Sequence, residues 1–288
     1  MTRKIAVLNR KGGIGKTTLT VNTAAAIASI LNRSGHGDVL IVDIDPQGHV
    51  SKALGIDTRD KNGRPVCIGD FLAGDIEFDE VVFSADRSHE DDDGLGVIRR
   101  PNLYIIPASS RLTDTLRQLD LRLYTSRGRD RVTLDNILST ALTPYMDNFQ
   151  YVFIDCPPSI GALQWAVYDF ADEVIVPVKT AYLDSAGTAQ HLDDIEEVIR
   201  NGLNVRVSWV VPTQYKANEL VSQQIYEGIR EAYGRSVVNP IPKETAVEQS
   251  QAAGQRTIFE YAVGAKIKSK AAIAIGELVV KIMKDKRQ

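Results

Sequence analysis

Short, continuous apolar runs alternate along this chain with longer stretches in which apolar residues recur every three or four positions. Apolar runs of this length, bounded by polar or glycine-rich segments, are typical of strands buried on both faces of a parallel sheet. The runs that predict strands are residues 5–8, 39–42, 103–107, 151–154, 174–177 and 205–211.

The stretches between these runs predict helices. In the last of them, the apolar positions are Ile273, Ile275, Leu278, Val279 and Ile282. One predicted helix ends near residue 31, and the others span about residues 110–123, 131–142, 185–200, 218–233 and 269–283. Because parallel strands need right-handed helical crossovers, this order predicts an α/β fold with a doubly wound, mostly parallel sheet flanked by helices.

The domain organisation predicted from the sequence is simple. No repeat or Ser/Gly-rich linker interrupts the chain, so residues 1–288 are expected to form a single domain. Residues 57–100 differ from the rest because they show no clean periodicity apart from a helix-like patch at 68–72. Their acidic run, residues 89–94, predicts a solvated loop, with a partner-docking surface or a metal site as the alternatives.

A glycine-rich turn, residues 9–18 with the sequence NRKGGIGKTT, joins the first predicted strand to the first predicted helix. Glycines lack a Cβ, so the backbone can curl and aim successive N–H groups at one anion beside the positive end of the helix dipole. We expect the Lys16 ammonium to neutralise phosphate oxygens and the Thr17 hydroxyl to join an Mg²⁺ shell. The predicted nucleotide-binding residues of this phosphate loop are Lys11, Gly12, Gly13, Ile14, Gly15, Lys16, Thr17 and Thr18.

Carboxylates follow two of the predicted strands at their carboxyl ends. Asp43 and Asp45 leave the second strand on the same side because side chains alternate along a strand, and Asp155 follows the run 151–154. Carboxylates beside a phosphate loop suit Mg²⁺ and water. Each of these carboxylates taken alone could simply be a polar residue at the end of a strand. Because they follow the phosphate loop in this order along the chain, the metal site is favoured.

Composition and net charge limit the classes of protein to which this chain could belong. The net charge of −3 argues against general coating of nucleic acid, although a local basic patch remains compatible with it. The two cysteines, Cys67 and Cys156, lie far apart and predict a reduced protein without a disulfide framework. The first four residues lead directly into a strand, and no apolar run approaches the ~18 residues of a membrane span, so a cytoplasmic protein is expected.

These motifs together resemble the ParA-type partition ATPases of the ParA/MinD superfamily. The resemblance rests on the double-lysine loop KGGIGKT, which matches a deviant Walker A motif although Arg10 occupies its first glycine position. It also rests on residues 43–48 (DIDPQG), on residues 155–158 (DCPP) and on the segment 241–261. The resemblance implies a P-loop NTPase fold and an Mg²⁺-dependent ATPase that hydrolyses ATP slowly and forms a homodimer in the ATP state.

The same resemblance implies roles for individual residues. Lys11 of one subunit reaches the phosphates bound to the other, as an arginine finger does, and acts with Lys16 and Asp45 in catalysis. Asp45 orients the attacking water. The metal is assigned to Thr17, Asp43 and Asp155, and the adenine to Thr213 and Pro242.

The resemblance further implies sequence-independent binding of double-stranded DNA by the ATP dimer, association with the nucleoid, and a ParB-like adaptor that stimulates hydrolysis. Each Lys–phosphate contact contributes salt-sensitive affinity through counterion release. The expected function is the partition of plasmid or chromosome DNA. The candidate DNA contacts are Lys266, Lys268, Lys270, Arg256 and Lys243, with Lys216 as a further neighbour, and a solvated basic loop is the alternative interpretation.

Other members of the superfamily are alternatives. A MinD-like membrane-cycling ATPase carries an amphipathic tail, whereas only residues 284–288 follow the predicted last helix here, so no stable membrane anchor is expected. A cargo-positioning ATPase for carboxysomes, chemoreceptor arrays or flagella shares these motifs, and the sequence does not separate it from DNA partition. A nitrogenase-iron-protein-like reductase and a ligase such as a dethiobiotin synthetase share the fold class, but the cysteine positions disfavour the first and the double-lysine loop the second.

Overall fold

The computed structural model describes residues 2–87, 98–125, 132–158, 161–180 and 205–285. Its strands are β1 (Arg3–Val7), β2 (Val39–Asp43), β3 (Phe83–Ser84), β4 (Leu103–Ile106), β5 (Tyr151–Asp155), β6 (Glu173–Lys179) and β7 (Arg206–Thr213). They form one seven-stranded sheet in the order β3-β4-β2-β5-β1-β6-β7. Every neighbouring pair is parallel except β3 and β4, which confirms the predicted mostly parallel sheet.

Helices connect the strands and cover both faces of the sheet. The α-helices are α1 (Lys16–Ser34), α2 (His49–Leu54), α3 (Ile68–Leu72), α4 (Phe78–Val81), α5 (Arg111–Thr125), α6 (Ile137–Leu142), α7 (Gln164–Phe170), α8 (Leu220–Tyr233), α9 (Thr245–Ala252), α10 (Ile258–Gly264) and α11 (Lys270–Lys284). Short 3-10 helices occupy Leu134–Asn136, Thr143–Asn148, Gly161–Leu163 and Gly234–Ser236.

The two faces of the sheet carry separate hydrophobic cores because side chains alternate along each strand. Ile5 and Val7 of β1 pack into one cluster with α1 and α11, whereas Ala6 and the following Leu8 belong to the cluster on the opposite face with α5, α6 and α7. The residues of the central strands β2 and β5 are almost fully buried on both faces. This double burial explains why the strands are continuous apolar runs in the sequence.

All six predicted strands are present, each within two residues of its predicted ends. Two short elements were not predicted inside residues 57–100, namely α4 and the antiparallel edge strand β3, whereas the helix-like patch is α3. The helix predicted over 131–142 was too long: a 3-10 turn precedes α6, because Asn136 Oδ1 accepts the Thr133 N–H at 2.8 Å and caps this start. The predicted helix 185–200 and the acidic run 89–94 lie outside the described residues, and the single domain over 1–288 stays a prediction.

Arg100 ties the end of the irregular segment to the C-terminal helices. Its side chain is only 2% exposed and donates two hydrogen bonds to the Glu260 carboxylate, at 2.8 and 2.9 Å. Its remaining N–H groups bind the carbonyl oxygens of Leu54 and Gln255 at 2.6 and 2.8 Å. One buried guanidinium thereby holds together the end of α2, the turn after α9 and the first turn of α10.

The register of the central strands fixes where functional side chains meet. Asp155, the last residue of β5, lies beside Asp43 at the end of β2 and beside Val7 at the end of β1. The turn 8–15 leaves β1 at this same carboxyl edge of the sheet. Ligands of open α/β sheets bind at this edge, so the register points to the functional site.

Candidate nucleotide site

The phosphate loop ends at a left-handed glycine. Gly15 has φ 89°, a region where a residue with a Cβ is strained, and it forms the N-cap of α1. No side-chain cap occupies the start of α1. The N–H groups of its first turn, beginning at Lys16, are therefore available to an anion at the positive end of the helix dipole.

The Lys16 side chain lies inside the phosphate loop and donates hydrogen bonds to the loop backbone. It is almost fully buried, and its Nζ donates to the carbonyl oxygens of Asn9 at 3.1 Å and Lys11 at 2.8 Å. Burial lowers the pKa of the ammonium, while the charge of Asp155 opposes this shift. Asn9 also braces the loop, because its Oδ1 accepts the Lys11 N–H at 3.1 Å and its Nδ2 donates to Pro177 O at 2.9 Å.

Asp155 is fully buried and is held by two hydroxyls of α1. Thr17 Oγ1 donates to Oδ2 at 2.7 Å, and Thr20 Oγ1 donates to Oδ1 at 2.9 Å. Burial raises the pKa of Asp155 to about 6; the two hydroxyls oppose this rise, and the nearby Asp45 adds to it. Thr20 was missed from the sequence, although its position three residues after Thr17 on a helix placed it on the same face.

Asp43 braces the loop after β2 from within. It is fully buried, and its oxygens accept the N–H groups of Asp45 at 2.9 Å and Val50 at 3.1 Å. Burial and the negative charge of Asp155 raise its pKa well above the ordinary value. The hydrogen bonds give Asp43 a positioning role toward Asp45, while its predicted role near the metal stays a prediction.

The turn that carries Asp45 depends on a glycine. Asp45 Oδ1 accepts the Gln47 N–H at 2.9 Å, and Asp45 O accepts the Gly48 N–H at 2.8 Å. Gly48 has φ 58°, and a Cβ on it would stand 2.6 Å from Ala108 O. Any larger residue would therefore push this turn away from the sheet edge and move the Asp45 carboxylate.

The opposite side of the site is formed by the end of β7. Thr213 Oγ1 donates to Ile14 O at 2.9 Å, and Gln214 Nε2 donates to Gly13 O at 2.7 Å. A cavity of about 790 Å³ extends from the phosphate loop to Asp45 on one side and to Thr213 and Pro242 on the other. Its volume and the convergence of a few polar groups on it are typical of a small-molecule site.

The structure separates the predicted site residues into three groups. Residues 13–18 of the loop line the cavity together with Asp45, Thr213, Pro242 and Lys243. Asp43 and Asp155 lie buried at the strand ends. Outside the cavity, Gly12 is exposed and Lys11 is half-buried, and the side chains of Lys266, Lys268 and Lys270 are exposed.

Arg256 is a correction to the predicted DNA contacts. Its side chain was expected at a DNA-binding surface, but the residue is only 2% exposed. A buried guanidinium cannot reach a duplex phosphate, so Arg256 is removed from that set. Basic residues are mostly exposed in proteins, and nothing in the sequence marked this one as buried.

Among the described residues, no group of three or more His, Cys, Asp or Glu side chains is arranged to hold a metal ion on its own. Mg²⁺ in nucleotide sites is commonly bound by one or two protein oxygens, water and the phosphates themselves. Among the helices of the described residues, none has the length and apolar character needed to cross a membrane.

Comparisons with known proteins agree with this geometry. A family model described as an AAA domain matches residues 2–208. The sporulation initiation inhibitor protein Soj of Bacillus subtilis is 29% identical over 90% of this chain and 91% of its own length. The chromosome partitioning protein ParA of Caulobacter vibrioides is 32% identical over 89% and 86%, respectively. Among solved structures, cobyrinic acid a,c-diamide synthase from Mycobacterium smegmatis with bound ATP analog and magnesium superimposes with a TM-score of 0.69 and 27% identity, covering 99% of this chain and 95% of that one.

Proposed function

The chain belongs to this AAA-domain family as a ParA/MinD-type P-loop ATPase, and from that premise we propose that it is a dimerising ATPase that binds DNA without sequence preference and partitions plasmid or chromosome DNA. The observation that carries the proposal is a cavity that extends from residues 13–18 of the phosphate loop to Asp45. The name of one sequence relative, the chromosome partitioning protein ParA, supports the same function.

ATP and Mg²⁺ are the cofactors that these residues fit. The N–H groups at the start of α1 and the Lys16 ammonium would hold the phosphates, with Lys16 exchanging its two loop carbonyls for phosphate oxygens. The Thr17 hydroxyl would join the Mg²⁺ shell, and Asp155 would hold that hydroxyl or a metal-bound water. The bound ion would neutralise charge on the β- and γ-phosphates. Thr213 and Pro242, which line the same cavity, would flank the adenine.

Hydrolysis is assigned to Asp45 and to a partner subunit. Asp45 orients a water that attacks the γ-phosphorus, the bond to the β–γ bridging oxygen breaks, and ADP and inorganic phosphate leave while a proton is released to solvent. Lys11 of the partner subunit neutralises the charge that develops on the phosphoryl oxygens. Because the site is completed only by two subunits, ATP binding favours the dimer and hydrolysis releases it.

DNA binding is assigned to the basic loop, which we define as Lys266, Lys268 and Lys270. All three side chains are exposed, and they lie between the end of α10 and the first residue of α11. Lys243, which is exposed at the cavity rim, is a further candidate. Dimerisation would double this positive surface, and a ParB-like adaptor would stimulate hydrolysis, which gives a cytoplasmic protein that associates with the nucleoid only in its ATP state.

The test is binding to a non-specific DNA duplex with ATP and with ADP at two salt concentrations. We expect ATP-dependent binding that weakens steeply with salt. Replacing all three lysines of the basic loop with alanine is expected to lower the affinity and the salt slope while the ATP dimer still forms. Lys284→Ala, at the other end of α11, is the control, and it should keep the wild-type DNA affinity and salt slope. A wild-type dimer that ignores DNA in either state would contradict the proposal and leave the cargo-positioning and membrane-cycling functions to be tested.

A small-molecule ligase is the second candidate function. The 27% identity to a structure named cobyrinic acid a,c-diamide synthase favours it. A ligase releases phosphate only when its acid and amine substrates are present, whereas a partition ATPase releases phosphate from ATP and water alone. Measuring phosphate release with ATP and Mg²⁺ only, with and without DNA, therefore separates the two functions.

A further inference from the structure

The backbone after α8 forms a short ladder with the end of β7. The Ile241 N–H donates to Pro212 O at 2.8 Å, and the Tyr215 N–H donates to Ile241 O at 3.0 Å. The Lys243 N–H then donates to Tyr215 O at 2.9 Å. These bonds fix the position of the next residue, Glu244, which also lines the nucleotide cavity.

The β7 strand of this ladder holds the phosphate loop directly. Thr213 and Gln214 bind the carbonyl oxygens of Ile14 and Gly13 through their side chains. Gln214 has φ 53°, a left-handed conformation that is uncommon for a residue with a side chain. Such conformations persist when the surrounding contacts over-determine them, and here the contact is with the phosphate loop.

Glu244 connects the ladder to the start of α11. Its Oε2 accepts the Ser269 hydroxyl at 2.6 Å and the Ala271 N–H at 3.0 Å, and its Oε1 accepts the Lys270 N–H at 3.4 Å. Partial burial would raise the pKa of Glu244, but these hydrogen bonds together bring it below the ordinary value. The carboxylate is therefore ionised at neutral pH, where it also complements the positive end of the α11 dipole.

The basic loop leads directly into this capped start of α11. Lys270 is the first residue of α11, and Lys268 immediately precedes the N-cap Ser269. Lys266 has φ 55°, a second left-handed conformation at a residue with a side chain. The positions of all three ammonium groups thus depend on where α11 begins, which Glu244 helps to set.

We propose that Glu244 is a positioning residue that couples the nucleotide in the cavity to the geometry of the basic loop. Phosphates that enter the loop take Lys16 away from its carbonyl partners, and the resulting shift passes through Thr213 and Gln214 and then along the ladder to Glu244. The identity of the partner of the basic loop rests on the proposed function, whereas the coupling itself does not.

Hydrogen–deuterium exchange of the full-length protein tests the coupling without DNA. Exchange at residues 266–272 is measured without nucleotide, with Mg-ADP and with a slowly hydrolysed ATP analogue, in the wild type, Glu244→Ala and Glu244→Gln. We expect the wild type to show a nucleotide-dependent difference in exchange rate there, and Glu244→Ala to reduce that difference about fivefold or more. Protection of the phosphate loop by nucleotide should remain within twofold of the wild type.

Glu277→Ala is the matched control. Glu277 lies on the same helix, is exposed, and accepts a hydrogen bond from Asn239 Nδ2 at 2.7 Å. Its loss should leave the nucleotide-dependent exchange of residues 266–272 unchanged. Glu244→Gln keeps the size of the side chain and one acceptor oxygen, so it is expected to give an intermediate difference and provides the measurement if Glu244→Ala does not fold.

Each outcome decides the proposal. If residues 266–272 exchange equally in all nucleotide states of the wild type, or if the difference survives in both Glu244 variants, the coupling is refuted. Loss of nucleotide protection at the phosphate loop itself would also refute it, because Glu244 would then serve nucleotide binding. If the exchange difference behaves as expected but no DNA binds in any state, the coupling stands and only the proposed function fails. If DNA binds, the ratio of ATP-state to ADP-state affinity should fall in Glu244→Ala and not in Glu277→Ala.

Discussion

The Thr17 hydroxyl donates a 2.7 Å hydrogen bond to Asp155 Oδ2, which joins the start of α1 to the end of β5. Thr20, one helical turn later, occupies the other carboxylate oxygen. Without nucleotide, these hydroxyls stabilise a carboxylate that has no exposure to solvent. In the proposed function, Thr20 would keep Asp155 in place while the Thr17 hydroxyl joins the Mg²⁺ shell, so this part of the site would not have to reorganise.

Asp155 should contribute less to the free energy of unfolding at neutral pH than at about pH 4. A carboxyl whose pKa is raised on folding, here to about 6 for Asp155, prefers its protonated form in the folded state. Its contribution to the free energy of unfolding is full below about pH 4 and is lost as the pH rises toward 6. Asp155→Asn should remove this loss and raise the stability of the nucleotide-free protein at pH 7.5 by up to about 3 kcal/mol.

Urea unfolding of the nucleotide-free protein at pH 5 and pH 7.5, in the presence of a chelator, measures this effect. Asp114→Asn, which changes a carboxylate that is 75% exposed, should leave both values within experimental error. The same Asp155→Asn variant is expected to gain less stability than the wild type from Mg²⁺ and ATP. Equal pH dependence in the variant and the wild type would show that Asp155 does not carry the buried charge.

Lys16→Ala is expected to weaken ATP binding by about tenfold to a hundredfold, because hydrogen bonds to a charged group contribute about 1.5–3 kcal/mol. Titration calorimetry with ATP and Mg²⁺ measures the change. Lys52→Ala is the control, since Lys52 lines the same cavity and its ammonium binds Gln47 O in the nucleotide-free protein. Unchanged affinity in Lys16→Ala would remove the phosphate-loop assignment.

Asp45→Ala should separate binding from hydrolysis. Loss of a water-orienting carboxylate typically lowers the rate about 10²- to 10⁴-fold, while the phosphate contacts of ATP remain. We expect normal ATP affinity, slow phosphate release and a dimer that persists in size-exclusion chromatography. Glu248→Ala, which changes another carboxylate lining the cavity, should hydrolyse ATP at the wild-type rate. A normally active Asp45→Ala would assign the water to a different residue.

Glu260→Ala should lower the free energy of unfolding by about 3 kcal/mol, because the buried Arg100 guanidinium then lacks its carboxylate. Burial alone would raise the pKa of Glu260, but Arg100 outweighs it and holds the pKa below the ordinary value. The pair therefore stabilises the fold fully above about pH 4.3 and loses this contribution as the pH falls through the lowered pKa. Chemical unfolding at pH 7 and at pH 3 should show a smaller difference between wild type and variant in acid, with Glu277→Ala as the neutral control.

Much of the site could be predicted because short sequences determine it. The loop with Gly15 and Lys16 follows an apolar run, and the register of a parallel sheet brings Asp155 next to Asp43. These features depend on local spacing and on the sheet alone. The positions of the central strands along the chain were predicted for the same reason.

What the sequence did not reveal depends on contacts between distant residues. The α9 and α10 helices are short, and helices of this length are stabilised by packing rather than by their own propensity. The sequence did not show that Arg256 and Arg100 are buried, because burial of an arginine depends on hydrogen-bond acceptors far away in the chain. The ladder beside β7 was missed for a related reason: its backbone bonds leave no pattern in the side chains.

The internal hydrogen bonds of Lys16 have a kinetic consequence. Because the Lys16 ammonium donates hydrogen bonds to two carbonyl oxygens of the loop, it holds the loop in a conformation that can surround a phosphate group. Nucleotide then arrives at a preorganised surface, so little conformational entropy is lost on binding and the encounter does not wait for the loop to fold. The same hydrogen bonds favour nucleotide release, since the two carbonyl oxygens can replace the phosphate oxygens as acceptors for Lys16. A loop held by these hydrogen bonds exchanges its nucleotide without unfolding, so refolding of the loop does not limit the rate of exchange.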